Sequence, residues 1–393
     1  MKQPIKRSRA DANGIKNSKV EYSLICDGNN MLKMALVDKT MNDSGEEYGA
    51  VLAFLRMLGN VLSKKDFDYC MVCWDGIGSG VLRWKFYEDY KANRGKSYEL
   101  HDPEMTDYQR GMIEYQKKVI AYSRKKKGII VNDEKEKEDE IFERQKMIIK
   151  LILEELCIRQ YEYENTEGDD IIAYYVKKKK EDEKVVIVSS DKDLTQLISD
   201  TVIVYNPRMK DFITKENSVS KIGITHENVV LEKILCGDAS DNIKGIRGLG
   251  ETSLVKLFPF IKENKCDLSS VIERSKEILE ERKASKKKPL KALENIINSV
   301  TDGCQGDKIY EINKKIIDLS EPLLTNEARE GLDDEFYGIM DTSDRDIKNV
   351  YELIDKFGLT ELKDENKFSH TFSPYERIKM MEVRRYKDFL KKS

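Results

Sequence analysis

At 393 residues the chain is too long for one small domain, and its net charge of −3, from 69 Lys+Arg against 72 Asp+Glu, excludes a uniformly basic nucleic-acid binder. Any affinity for a polyanion must come from local patches. Mean hydropathy is −0.60, and no apolar run reaches the roughly 18 residues that span a membrane.

The first twenty residues carry Lys2, Lys6, Arg7 and Arg9 with no apolar stretch behind them, which predicts a mobile basic leader over 1–20 and not a signal peptide. Seven scattered cysteines, an odd number, argue for reduced thiols in a cytoplasm. Cys70 and Cys73 form a CxxC inside a strand-like run, where residues three apart face opposite ways, so they read as buried thiols. His101, His226 and His370 are far apart and not near cysteines, which disfavours a zinc site.

Residues 21–26, EYSLIC, read as a short apolar strand ending in Asp27-Gly28. Helical spacing follows over 48–62, then a second strand over 67–74 ends in Asp75-Gly76. Either aspartate alone reads as a turn or cap residue. Together they place two carboxylates on one edge of a parallel sheet, where open α/β sheets bind ligands. Residues 81–96 interleave Arg83, Lys85, Lys91, Arg94 and Lys96 with Trp84, Phe86, Tyr87 and Tyr90. Cations for phosphates and rings for base stacking are one reading of that pattern; an amphipathic helix with its aromatics in the core is the other. The charge-rich stretch 98–137 reads as an exposed insertion.

Helical spacing returns over 141–158, a third strand is expected near 159–163, and Glu167-Gly-Asp-Asp170 opens a helix to about 179. Three acids in four residues exceed what capping needs; on that helix Glu167 and Asp170 share a face and Asp169 turns away. The lysines at 177–180 complement the helix dipole. Residues 185–188 form a β-branched run of the kind buried on both faces of a parallel sheet, followed at once by Asp191 and Asp193. Such a density of acid is costly unless cations neutralise it. Residues 202–206 and 211–214 suggest a hairpin at the sheet margin.

A second module begins near His226. A helix over 227–236 runs into Gly237-Asp-Ala-Ser-Asp241, then a segment with Gly245, Gly248 and Gly250, then a helix over 251–258. The glycines let backbone approach an anion beside a new helix, with Lys244 and Arg247 among them. A P-loop is disfavoured because Glu251 stands where lysine is needed and no strand leads in. A helix-hairpin-helix gripping a DNA backbone fits better. Beyond residue 260 lie the basic loop ERKASKKKPLK at 281–291, helices to about 359, and a basic tail from 372 that either binds DNA or a partner or packs on the body.

In order along the chain, Asp27-Gly, Asp75-Gly, Tyr90 to Arg94 (YKANR), Glu167-x-Asp-Asp170, Ser190-Asp-Lys-Asp193 and Gly237-Asp-x-x-Asp-Asn242 with its glycine hairpin resemble the structure-specific 5′ nucleases. These include flap endonucleases and 5′-3′ exonucleases; the chain looks most like the phage enzymes called RNase H that remove primers. The resemblance covers about 21–258 and implies an α/β fold: a PIN-like, Rossmann-like, mostly parallel sheet flanked by helices, followed by a helix-hairpin-helix module. The expected division is the leader, a nuclease domain at 21–225 with an arch or insertion at about 81–140, the module at 226–300, and a helical region at 301–393.

The same resemblance implies that Asp27, Asp75, Glu167, Asp169 and Asp191 form a first metal cluster, with Asp170 and Asp193 near it. Asp238 and Asp241, three apart on a helix, complete a more distant one. The expected cofactor is Mg²⁺, with Mn²⁺ able to substitute, as two or more ions. Lys91 and Arg94 are expected at the scissile or adjacent phosphate, with Arg83, Tyr87, Tyr90, Lys244, Gly245, Arg247, Gly248 and Gly250 on the DNA and Tyr90 stacked on a terminal base. The implied partner is DNA with a 5′ end, flap or RNA primer. A single-stranded DNA-binding protein or other replisome component is a candidate, and the chain is expected to be a monomer in the cytoplasm, the host's if phage-encoded. The 98–137 stretch is longer than the usual phage arch, and residues after 258 exceed the common core. A PIN-like endoribonuclease is disfavoured by the glycine hairpin, and a non-catalytic DNA-junction binding module by the complete acid set.

Overall fold

Short β-branched strands buried on both faces build the centre of the molecule. The structure, a computed structural model, describes residues 21–92, 133–301 and 308–392. Strands β1 (Tyr22–Asp27), β2 (Tyr69–Cys73), β3 (Arg159–Tyr161), β4 (Lys184–Val188), β5 (Val202–Asn206) and β6 (Asp211–Ile213) form one sheet in the order β3-β2-β1-β4-β5-β6. Every neighbouring pair is parallel except the marginal β5–β6 hairpin. Central β1 pairs Asp27 with Cys73 and Cys26 with Val188, so the chain leaves β1, β2 and β4 from one edge. Asp27, Asp75 and Asp191 all stand there.

Alternate strand residues feed two cores, as a sheet covered on both sides requires. Leu24, Cys26, Cys70, Val72 and Val188 face one layer, and Ile25, Met71, Cys73, Val185 and Ile187 the other. The two CxxC thiols therefore lie buried on opposite faces. Helices α1 (Gly28–Ala35), α2 (Gly49–Leu62) and α4 (Asp133–Glu155) cover the first face, while α5 (Gly168–Lys178) covers the second. Between β2 and α4, α3 (Val81–Trp84) is a single turn, and the chain continues in turns to Ala92. The leader, Arg94 and the expected insertion as far as 132 lie outside the described residues. From Asp133 the chain is already helical, so the acidic run at 133–140 opens α4 and does not belong to a separate insertion.

The next elements are α6 (Ser218–Ile222), α7 (Val229–Cys236), the two-residue strands β7 (Gly237–Asp238) and β8 (Ile243–Lys244), and α8 (Glu251–Leu257). With α9 (Leu268–Ala284), α10 (Lys291–Ile297) and α11 (Ile309–Ile317) they surround a core of their own, including Val229, Leu235, Leu249, Leu254, Val271 and Ile296. The remaining helices are α12 (Asn326–Glu335), α13 (Ile347–Lys356), α14 (Glu365–Phe372) and α15 (Glu376–Leu390). They do not form a body apart: α12 packs on the α5 face through Ala328 and Leu332, and α13, α14, Tyr375 and Ile378 pack beside α2. The basic tail thus lies on the body. Glu382 on α15 pairs with buried Arg159 at 2.9 Å, and Tyr375 donates to the Leu55 carbonyl at 2.6 Å. Among the described residues no helix is long and apolar enough to cross a membrane.

Candidate functional site

Each Asp-Gly at a strand end has a packing reason as well as a chemical one. A Cβ on Gly28 would fall 2.4 Å from the Trp74 ring, and one on Gly76 would fall 1.8 Å from the Tyr163 carbonyl oxygen. Only glycine lets α1 and the turn after β2 come this close, which holds the preceding aspartates at the edge. Asp27 caps α1, accepting from the Asn30 amide at 3.0 Å and from Ser189 Oγ at 2.9 Å. Asp75 accepts from Asn29 Nδ2 and from the Gly168 amide, both at 2.8 Å. Asn30 Oδ1 in turn accepts from the amide and hydroxyl of Ser190, both at 2.9 Å. Asn29, Asn30 and Ser189 thus orient the acids, and their signal in the sequence is adjacency to Asp27-Gly28 and to Asp191.

Asp27, Asp75, Asp169 and Asp191 form one electrostatic group. Burial, with Asp75 and Asp191 close by, pushes the Asp27 carboxyl up to about 7 against the pull of its hydrogen bonds. Burial and the facing Asp27, Asp191 and Asp75 push Asp169 well above the ordinary range. An uncompensated cluster of this kind disfavours ionisation, and a divalent cation would reverse that.

Glu167 has a different environment. It accepts from Tyr90 Oη at 3.0 Å and from Lys91 Nζ at 2.9 Å, with Arg83 3.5 Å away. Burial opposes its ionisation, but Arg83 and Lys91 outweigh burial and hold the carboxyl below its usual value. Asp170 is committed elsewhere: it is 1% exposed, takes both Arg83 nitrogens at 2.6 and 3.2 Å, and accepts from the Leu323 amide at 2.8 Å. This corrects two expectations, because Asp170 is held by Arg83 and not grouped with Asp27, Asp75, Asp169 and Asp191, and Arg83 is buried behind the edge, its Nε donating to the Ile316 carbonyl. The face shared by Glu167 and Asp170 points at arginine.

Tyr90 is also corrected. It is 2% exposed, with Arg83 5.7 Å and Lys91 4.9 Å from its ring centre, so no base can stack on it. Its hydroxyl lies between Glu167 and Asp241, 3.1 Å from the latter. Tyr87 donates to the Asn242 carbonyl at 3.1 Å, Asn242 Nδ2 donates to the Asp89 carbonyl at 2.7 Å, and the Lys91 amide to that of Asp241 at 2.8 Å. The segment at 85–92 is thereby fastened to the hairpin turn.

Asp238 and Asp241 do not lie on a helix. Gly237, at φ +74°, ends α7, β7 pairs with β8, and Asn242, at φ +57°, helps close the turn between them. A Cβ on Gly245 would meet the Cys236 carbonyl carbon at 2.1 Å, so this glycine serves the hairpin's own crossing. Lys244, Arg247, Gly248 and Gly250 face solvent. A residue not expected from the sequence, Lys233, stands between Asp193 at 2.8 Å and Asp238 at 2.5 Å. Burial and Asp191 raise Asp193 to about 7 despite Lys233, whereas Lys233 and Ser240 together overcome burial and lower Asp238 to about 2.

Among the described residues no three acidic, histidine or cysteine groups close on one point tightly enough to hold an ion by themselves. The donor set at Asp27, Asp75, Asp169 and Asp191 is nevertheless all carboxylate oxygen, a set that suits a hard divalent cation whose charge would offset their repulsion.

Fold and site define a doubly wound α/β domain with an acidic carboxyl edge, joined to a helix-hairpin-helix. The chain belongs to the 5′-3′ exonuclease family: the family model for the 5′-3′ exonuclease N-terminal resolvase-like domain matches residues 22–226. It is 28% identical over 266 residues to DNA polymerase I of Bacillus subtilis, covering 66% of this chain and 26% of that protein. It is also 28% identical over 209 residues to a 5′-3′ exonuclease of Aquifex aeolicus, covering 53% of this chain and 58% of the relative. The chain therefore spans about a quarter of the first relative and somewhat over half of the second. Among solved structures, a bacteriophage T5 flap endonuclease with DNA and metal ions is 16% identical at a TM-score of 0.48, covering 87% of this chain and 98% of that one.

Proposed function

We propose that the chain is a 5′ nuclease hydrolysing phosphodiesters at 5′ ends or flaps of DNA and at RNA-primed duplexes, for primer removal in replication or repair. The observation that carries this reading is the group of four mutually repelling carboxylates, Asp27, Asp75, Asp169 and Asp191, on one edge of the sheet. Mg²⁺, with Mn²⁺ able to substitute, would be held by these acids and would supply Lewis acidity at the phosphate and a lowered pKa for water. Lys91 brings its ammonium to the site through Glu167, which stays ionised and holds it in place. Tyr90 positions Glu167 and Asp241. Arg94, two residues past the last described position of this segment, is the second cation proposed for the phosphate.

The exposed Lys244, Arg247 and backbone around Gly248 and Gly250 would grip the duplex without reading its sequence, since phosphate contacts position but do not specify. Specificity then comes from the shape of the 5′ junction. One chain carries all of these acids, so a monomer suffices. The test is cleavage of labelled flap, nicked, blunt and RNA-primed duplexes with Mg²⁺ or EDTA. Cleavage should require the metal and fall about 100-fold or more in Asp191→Asn, in line with other electrostatic catalysts. Cleavage that survives EDTA, or full activity in Asp191→Asn, would overturn the proposal.

A further inference from the structure

Among the described residues the turn between α9 and α10 is densely cationic. Residues 282–293 contain Arg282, Lys283, Lys286, Lys287, Lys288 and Lys291 and no acid. All five lysines face solvent. The turn is built and held: the Lys287 amide donates to the Arg282 carbonyl at 2.8 Å, and Arg282 Nε donates to the Lys288 carbonyl at 2.8 Å. Lys286 takes φ +55°, a helix-ending position that glycine fills with less strain. A lysine kept there, with one arginine spent on bracing its neighbours, concentrates charge at a point where repulsion and backbone strain both oppose it.

The turn is tied mechanically to the glycine hairpin. Asn295 on α10 donates to the Arg247 carbonyl at 2.8 Å, the Arg247 amide donates to the Val300 carbonyl at 3.0 Å, and Ile246 bridges Thr301. Leu293 and Ile296 share a core with Leu249 and Leu254. One end of α10 therefore touches the hairpin and the other carries the lysine turn. Its seven residues span about 10 Å, a length of duplex axis that carries about three phosphates of each strand.

We infer that the lysine turn at 286–288 is a second contact for the phosphate backbone of duplex DNA, extending the grip of the hairpin along the same duplex. This rests on the nuclease reading above and adds a dependence on duplex length. Double-stranded DNA is the partner that fits, because its backbone presents phosphates continuously along the distance that α10 sets between hairpin and turn and a sequence-blind cluster of ammonium groups is all that such a contact needs.

The test compares the intact chain with a K286Q/K287Q/K288Q variant, whose exposed positions leave all three cores untouched. Binding is read by fluorescence anisotropy in Ca²⁺ on 5′-flap substrates with progressively shorter duplex arms, at several salt concentrations. On long arms the variant should bind about tenfold more weakly, and the slope of log affinity against log salt should lessen by about two to three, since each phosphate contact contributes about 0.9. On arms too short to reach the turn the two proteins should bind alike, and single-turnover cleavage at saturating enzyme should be unchanged. Equal affinity and slope at every arm length would overturn the inference while leaving the nuclease reading intact. Failure of the unaltered chain to cut any flap with Mg²⁺ would overturn both. Loss of binding to an acidic protein but not to DNA would reassign the turn and overturn it as a duplex contact.

Discussion

Lys233 Nζ lies 2.8 Å from Asp193 Oδ1, and the same ammonium reaches Asp238 at 2.5 Å. Asp238, which the family resemblance implies for the more distant metal cluster with Asp241, is thus already bridged to Asp193 by a cation of the chain itself. Replacing Lys233 with Met leaves two mostly buried carboxylates without a counter-charge, which should cost about 2–4 kcal/mol in EDTA. Added Mg²⁺ should then raise the thermal midpoint of Lys233→Met by more than it raises that of the parent. Melting curves with and without Mg²⁺ decide it; equal shifts in the two proteins would show that the pair draws no cation.

The proposed cation would have to displace a proton at Asp27, whose carboxyl is pushed up to about 7 by burial and by Asp75 and Asp191. An unfolded aspartate titrates near 3.9, so between about pH 4 and pH 7 the folded chain holds a proton that the unfolded chain has released. The stability this contributes is fully present below about pH 4 and is lost as pH rises through about 7, with a limiting slope of about 1.4 kcal/mol per pH unit for one proton. Urea unfolding of metal-free protein at several pH values should show a steeper decline than in Asp27→Asn, which keeps the α1 cap. Mg²⁺ affinity should rise over the same window as deprotonation frees the site. Identical pH slopes in parent and variant would rule this out.

Short-range features were legible in the sequence because short-range sterics govern them. Asp-Gly ends a strand where the next turn must approach Trp74 or the Tyr163 carbonyl too closely for a Cβ, and β-branched runs mark the buried sheet. The pairing of Arg83 with Asp170, 87 residues apart, has no local signature, so motif resemblance places Asp170 near the first metal cluster while the folded chain gives it to arginine. The spacing of Asp238 and Asp241 also suits a helix; what prevents one is Gly237 and Asn242 at positive φ, visible only once β7 and β8 pair. The tail's helical spacing was readable, but its seat depends on Arg159 reaching Glu382 from the far side of the chain.

The Arg83–Asp170 pair gives a stability prediction in place of a DNA-binding one. Both side chains are nearly inaccessible, at 5% and 1%, so Arg83→Met should leave an unpaired buried carboxylate and cost about 3–5 kcal/mol. The double variant Arg83→Met/Asp170→Asn should cost less than the sum of the single changes, because neither charge is then stranded. Chemical denaturation of the four proteins measures the coupling. If Arg83→Met kept its stability but bound flap DNA tenfold more weakly, the original assignment of Arg83 to the DNA surface would stand instead.

Tyr90 separates two roles with one oxygen atom. A residue stacked on a terminal base keeps its ring in Tyr90→Phe, so binding and rate would both be unchanged. In this structure the buried ring has Arg83 5.7 Å and Lys91 4.9 Å from its centre, and the hydroxyl is the group that joins Glu167 to Asp241. Removing it takes a buried donor from two acids and loosens the Lys91 segment from the hairpin turn, a loss of about 1–3 kcal/mol. Tyr90→Phe should therefore lower single-turnover cleavage by about tenfold while affinity for flap DNA in Ca²⁺ stays within about twofold. The opposite split, weaker binding at an unchanged rate, would place the phenol on the DNA and not among the acids.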